Sequence, residues 1–424
     1  MTRREIVSWA MFDFANSAYT TIIVTVAFSI YFTKLVAPGA NADWWWSVAV
    51  GASNLIVLIL APIIGAIADG SGRKKSFLIA MWILCCVGTA ALWFVIPGAL
   101  VLGIVLFVVS NCAYAFGETL AGGFLPEIST PENIGRISGF GWGLGYLGGL
   151  GSLILVKPLI AGGFTADNLR GLQIAWVLTG AFFFVGALPT MVFLRERAER
   201  SDRHSLAAYA AEGFRRIATT WRSLKQFSEL AWFLGAFFIY SCGLMAVIAF
   251  AAIYAERTIG FSPGDIIMLF IALQVAAAVG AVVFGWIQDR LGPKRSLELS
   301  LLLWIVVSVG AYFSTTKAQF WPVAVAAGLG IGSLQSASRA LVGLFSPVSK
   351  SGEFFGFWGL AMRAAYVAGA FVFGAVSSAT GSQRIAILVN AAFFVVGLAA
   401  LGSVNVERGR AAAEAWNGPG EAGA

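Results

Sequence analysis

Apolar residues fall into twelve long runs separated by breaks of Gly, Pro and charge, at 9–35, 44–67, 76–96, 100–120, 137–159, 172–194, 230–253, 265–287, 296–314, 320–344, 354–377 and 385–404. Most are about 20 residues long, the length at which an α-helix crosses a hydrocarbon core of about 30 Å. The pattern therefore predicts an all-α membrane protein of twelve transmembrane helices. Most of the breaks are short, but the polar segment 195–229 divides the chain near its middle. There Phe214, Ile217, Trp221 and Leu224 recur at helical spacing with Arg215, Arg216, Arg222 and Lys225 between them. This predicts an amphipathic helix lying on the membrane surface. The expected organisation is a six-helix bundle over 1–195, a linker over 196–229, and a second six-helix bundle with a short tail over 230–424.

Composition sharpens the picture. Apolar residues make up 59% of the chain and charged ones 12%, against about a quarter charged in soluble domains, which excludes a water-soluble fold. The net charge of +7 could point to nucleic acid, but its distribution points elsewhere. Of the 28 Lys and Arg residues, twenty fall on one side if the N-terminus is cytoplasmic. Only Lys34, Lys157, Arg170, Arg257, Lys317 and Arg384 fall on the other, and Arg339 and Arg363 lie within spans. That asymmetry orients both termini to the cytoplasm and places Trp44-Trp45-Trp46 at the outer interface. The first run follows Met1-Thr2-Arg3-Arg4-Glu5 with no small-residue cleavage pattern and is expected to be a retained span. Cys85, Cys86, Cys112 and Cys242 all lie in apolar runs without metal-ligand spacing, as small core hydrophobes do.

Two segments recur. Gly65-Ala66-Ile67-Ala68-Asp69-Gly70-Ser71-Gly72-Arg73-Lys74-Lys75 follows the second span, and Gly285-Trp286-Ile287-Gln288-Asp289-Arg290-Leu291-Gly292-Pro293-Lys294-Arg295 follows the eighth, at an offset of 220. Leu125-Pro126 pairs with Ser346-Pro347, and Trp142-Gly143-Leu144 with Trp358-Gly359-Leu360, at nearly the same offset. An internal duplication explains this, and parallel repeats mark transporters that rock two halves about a central site.

At this repeated loop the sequence resembles the major facilitator superfamily. It is similar to the vacuole-effluxer-like branch, related to autophagy-associated amino-acid effluxers, through three further stretches. They are Phe12-Asp13-Phe14-Ala15-Asn16-Ser17-Ala18-Tyr19, Phe124-Leu125-Pro126-Glu127, and Ser338-Arg339-Ala340 with Glu353-Phe354-Phe355-Gly356. The resemblance implies a secondary transporter of a small polar solute, an amino acid or related metabolite, exported across the cell membrane by alternating access. The Gly-rich stretch 139–151 lacks the proline typical of drug/proton antiporters of the superfamily, which counts against drug efflux.

Several residues could carry the work. Asp69, Arg73, Asp289 and Arg290 of the repeated loops are gating candidates, able to pair with charges or helix ends of neighbouring spans. Arg363 lies near the middle of its span, where a charge costs about 2.5–3.5 kcal/mol on insertion, so it is a candidate for binding a substrate carboxylate. A structural pair with a carboxylate or carbonyl is the competing reading. Glu118 and Arg339 hold equivalent places in the two halves; they could pair as a gate, or pair within their own halves with Arg73 and Asp289. Asp13, Asn16, Ser17 and Thr20 form a polar stripe on the first span, as do Asn111, Tyr114 and Glu118 on the fourth, and Gln335, Ser336 and Arg339 on the tenth. The resemblance places those spans centrally. Asn16, Thr20, Asn111, Tyr114, Gln335 and Tyr366 are therefore expected at the substrate, with Asn54 and Gln274 as weaker candidates and interhelical hydrogen bonding as the alternative. If protons are the coupling ion, Asp13 or Glu118 would carry them, since the single histidine, His204, falls in the central linker. Gly141, Gly145 and Gly149 offer a smooth face for close helix contact.

No cofactor or metal is called for, and no nucleophile motif or nucleotide loop supports an enzyme. The expected partners are a small-molecule solute and the lipid bilayer, and a monomer is expected. A facilitator-like assembly factor or sensor without transport remains the alternative reading.

Overall fold

The computed structural model describes residues 2–39, 42–197 and 227–416. Twelve helices in it are long and apolar enough to cross a membrane. They are α1 (Arg3–Val36), α2 (Trp44–Ser71), α3 (Lys74–Phe94), α4 (Leu100–Ile128), α5 (Ile134–Ile160), α6 (Ala166–Phe193), α7 (Ser228–Ala251), α8 (Met268–Leu291), α9 (Pro293–Phe313), α10 (Lys317–Phe345), α11 (Val348–Thr380) and α12 (Gln383–Gly402). A short helix α13 (Val406–Glu414) follows. The expected surface helix of the linker, with His204, lies outside the described residues. Several spans begin earlier than their apolar runs. In α1 the Thr2 hydroxyl caps the Glu5 amide, so Arg3, Arg4 and Glu5 form a charged helical turn ahead of Trp9. An apolar window stops at the first charges, whereas the backbone keeps its hydrogen bonds through the headgroup layer.

α1–α6 and α7–α12 form two six-helix bundles related by pseudo-symmetry, and side-chain contacts repeat between them. Tyr31 donates to the Val95 carbonyl at 2.5 Å, and Tyr254 to that of Ala311 at 2.7 Å. Glu5 pairs with Arg197 at 2.7 Å, and Glu229 with Arg408 at 2.8 Å, each tying the first helix of a half to the segment after its last. α1 departs from regular helix at Tyr19–Val26, which widens into π-type turns with the Ala27 amide reaching back to the Ile22 carbonyl, and again at Phe32–Val36. Such widening often marks functional positions.

Across the halves α2 packs on α11 and α5 on α8. Both seams depend on glycine, since a Cβ on Gly65 would overlap the Gly352 carbonyl and one on Gly139 the Ala281 carbonyl. The seams close at the end where Arg73, Lys74, Arg136 and Arg290 gather, called the basic end below. On α4 every residue from Ser110 to Leu125 is buried except Glu118; on α11 Ser351–Gly356 are all buried, whereas from Tyr366 onward only Gly369 and Phe373 are. Among the described residues, polar contacts between the halves run from the basic end only as far as Arg363. The bundle is thus sealed at the basic end and its halves part toward the other.

Candidate functional site

The floor of the space between the halves is built around Arg339 of α10. Its guanidinium donates to Asp13 of α1 at 2.7 Å, and to the hydroxyl and carbonyl of Ser138 on α5 at 3.2 and 2.8 Å. It lies between the rings of Trp9 and Trp142, at 4.8 and 5.2 Å. Trp9 is itself anchored to the Ala121 carbonyl at 2.7 Å. One cation of the second half therefore grips two helices of the first. The grip needs room, and glycine supplies it: a Cβ on Gly141 would stand 2.6 Å from both the Arg339 and the Asp13 side chains. Gly145 and Gly149 continue this face, against Ser17 and Thr21.

Above the floor two polar groups flank the space. On one side Arg363 of α11 donates to the Asn54 amide oxygen of α2 at 2.9 Å. Glu118 on α4 lies within electrostatic reach of Arg363, Asp13 and Arg339. Among the described residues neither Glu118 nor Arg363 has an ion-pair partner within 4 Å. Tyr366, one turn beyond Arg363, is 40% exposed. On the other side Tyr146 of α5 donates to the Gln335 amide oxygen of α10, and Gln274 of α8 approaches Gly149. A cation held only by a neutral amide and a carboxylate held by no cation leave both charges free to meet a ligand. Desolvated charge of this kind is costly near the middle of a span and calls for a compensating partner.

At the basic end each repeated loop aims its aspartate at a helix of the opposite half. Asp69 accepts from the Glu353 amide at the start of α11 at 2.9 Å, and Asp289 from the Arg136 amide at the start of α5 at 3.1 Å. A carboxylate there satisfies an orphan backbone donor and the positive end of the helix dipole. Lys74, 2% exposed, binds Asp69 at 3.2 Å and Glu127 at 2.8 Å, and donates to the Ser351 hydroxyl at 2.6 Å. The Arg136 side chain adds a looser pair with Asp289 at 3.6 Å.

Several expected pairings change. Arg339 pairs with Asp13, so neither the Glu118–Arg339 gate nor the Arg339–Asp289 pair forms; Asp289 is taken by Arg136. Arg73 and Arg290 are exposed and make no ion pair among the described residues, and Lys74 is the cation that closes the first loop. Asn111 donates to the Ser53 hydroxyl at 2.8 Å, while Tyr114 stacks on Tyr19 at 5.2 Å and is 9% exposed. Asn16 is buried as well. These three pack helices together in this conformation, whereas Thr20, Gln335 and Tyr366 keep exposed surface. The sequence reading missed Ser138, Tyr146, Lys74 and the tryptophans around Arg339. Trp142 and Lys74 show in the sequence only as members of the repeats.

Residues 47–414 match the family model described as "Vacuole effluxer Atg22 like". The uncharacterized MFS-type transporter YxiO of Bacillus subtilis (strain 168) is 25% identical over 410 residues, covering 94% of each chain. Autophagy-related protein 22 of Kluyveromyces lactis is 24% identical over 432 residues, covering 89% of this chain and 84% of its own. Among solved structures, the E. coli fucose:proton symporter FucP superposes with a TM-score of 0.74 at 15% identity, over 94% of this chain and 98% of its own. That likeness concerns the fold.

Proposed function

The chain belongs to the Atg22-like vacuole effluxer family of major facilitator transporters, and from that membership and the central geometry we propose that it exports a small zwitterion, an amino acid or related metabolite. The observation that carries this reading is the pair Arg363 and Glu118, within electrostatic reach of each other yet without an ion pair within 4 Å among the described residues. A solute with a carboxylate and an ammonium group would neutralise both at once, the carboxylate on Arg363 in bidentate geometry and the ammonium on Glu118. Thr20, Gln335 and Tyr366 would contact the remainder.

The halves rock about this site. With the basic end facing the cytoplasm and both termini inside, the conformation described here is open to the outside, ready to release solute. Return requires the Arg339 grip and the two aspartate caps to part while contacts form at the other end. Protons are the proposed coupling ion, with Glu118 the better carrier because Asp13 is already committed to Arg339. The membrane is the cell membrane, and the working unit is one chain.

The test is flux from proteoliposomes loaded with a labelled amino-acid panel, with and without a pH gradient. Charge-assisted hydrogen bonds contribute about 1.5–3 kcal/mol, so Arg363→Ala should lower flux about 10- to 100-fold while Arg363→Lys keeps part of it. Normal flux by Arg363→Ala, or no flux of any amino acid by the unaltered chain, would reject the reading.

A further inference from the structure

We propose that a cavity at the basic end, between the starts of α1 and α3 and the end of α6, binds the phosphodiester headgroup of an anionic membrane lipid. The cavity holds about 620 Å³ and is lined by Arg4, Glu5, Lys75, Arg195, Glu196 and Arg197 among others. Four cations face two carboxylates there, so its side chains carry an excess of two positive charges.

The cations are unequally committed. Arg197 is engaged with Glu5 at 2.7 Å, and the Arg195 amide donates to the same carboxylate at 3.3 Å. Glu196 accepts from the Lys75 amide at 2.6 Å. Among the described residues the side chains of Arg4, Lys75 and Arg195 make no ion pair within 4 Å. Arg4 lies over the Phe193 ring at 3.6 Å, which orients its fork and leaves its N–H edge without a partner among the described residues. Three cationic side chains lining one cavity suit the oxygens of a phosphate.

The second half shows which part of this is architectural. The Glu–Arg tie recurs there as Glu229 with Arg408, with the Asn405 amide in the place of the Arg195 amide. The tie therefore belongs to the repeat. Two of its flanking cations do not, since Ser228 stands where Arg4 would and Asn405 where Arg195 would, while Lys75 has a basic counterpart in Arg295. Holding the helices together does not require the extra charge of the first half.

Lipid is the source we assign because the cavity opens beside apolar surface. Val185, Leu188 and Val192 follow helical spacing on α6 and are 63%, 38% and 63% exposed, and Val7 on α1 is 46% exposed. This strip leads from the bilayer interior to the cavity mouth, giving acyl chains a path while the phosphate enters. Free phosphate or a soluble phosphoester would use the same donors but gain nothing from the strip.

Native mass spectrometry of the full chain, released from micelles doped with phosphatidylglycerol or phosphatidylcholine, tests this. The unaltered chain should retain phosphatidylglycerol in preference, and Arg4→Gln/Arg195→Gln should lose about 25-fold in that preference, at about fivefold per basic residue. Arg3→Gln/Arg295→Gln removes the same charge from exposed positions of the basic end and should retain it, as should Arg195→Lys in part. Size-exclusion profiles identify any variant that fails to fold, in which case Lys75→Gln replaces it. Equal retention by Arg4→Gln/Arg195→Gln and the unaltered chain, or equal loss by the exposed control, would overturn the site. Displacement of the lipid by inorganic phosphate or glycerophosphoglycerol at matching concentration would overturn the lipid assignment.

Discussion

Arg339 and Glu118 have opposite charge at matching places in the two halves, yet the structure uses them differently. Arg339 is 4% exposed and fully engaged by Asp13, Ser138 and two indoles, whereas Glu118 is the one residue between Ser110 and Leu125 that is not buried. Removing a partner from a buried pair typically costs about 3–5 kcal/mol, so Asp13→Asn should weaken the sealed basic end sharply. Alkylation of a cysteine placed at Ser336, in a chain lacking the four native cysteines, should then accelerate from the basic side. Glu118→Gln breaks no ion pair and should leave thermal stability within about 1 kcal/mol. The same variant should abolish the response of flux to a pH gradient, and an unchanged response would remove Glu118 as the proton carrier. The polar stripe containing Asp13 was legible from its spacing alone. Its partner was not, because the reach of Arg339 to α1 depends on the missing Cβ of Gly141 and on how α10 is rotated, and neither leaves a mark in sequence periodicity.

At the level of helices, the seams between the halves depend on backbone contact as well as charge. Gly65 against Gly352 and Gly139 against Ala281 bring main chains together where no side chain fits. Gly65→Ala and Gly139→Ala should each push the helices apart at the basic end and shift the population toward the conformation open there. Spin-label distances between α2 and α11, or between α5 and α8, should lengthen at that end and shorten at the other; unchanged distances with normal folding would show that the seams tolerate the methyl group. The repeated loops marked the end at which the two seams close, since two copies at a constant offset cannot be a local accident. Which basic residue acts was hidden, because adjacent helical positions point about 100° apart. The turn at Gly72, with φ of 61°, leaves Arg73 facing water and turns Lys74 inward to Asp69 and Glu127. The π-type turns of α1 were equally hidden, since Tyr19–Val26 contains neither Gly nor Pro to announce a departure from regular helix.

For the whole molecule, duplication implies more than similar halves. Asp69 caps a helix of the second half and Asp289 caps a helix of the first, so the two seams close reciprocally and one rigid tilt breaks both. They are unequal in strength. The α2–α11 seam adds the buried Lys74 knot, with side chains 1–2% exposed, whereas the Arg136 side chain at the α5–α8 seam is 55% exposed. Salt screens exposed pairs much more than buried ones. Raising ionic strength should therefore loosen the α5–α8 seam first, and Arg136→Gln should remove most of that salt response while Lys74→Gln should not. If transport requires both seams to part, joining one covalently must stop the cycle. A disulfide between cysteines introduced at Arg136 and Asp289, in the cysteine-free background, should halt flux until reductant restores it. Flux that continues through the oxidised cross-link would mean that solute crosses without the halves separating at the basic end.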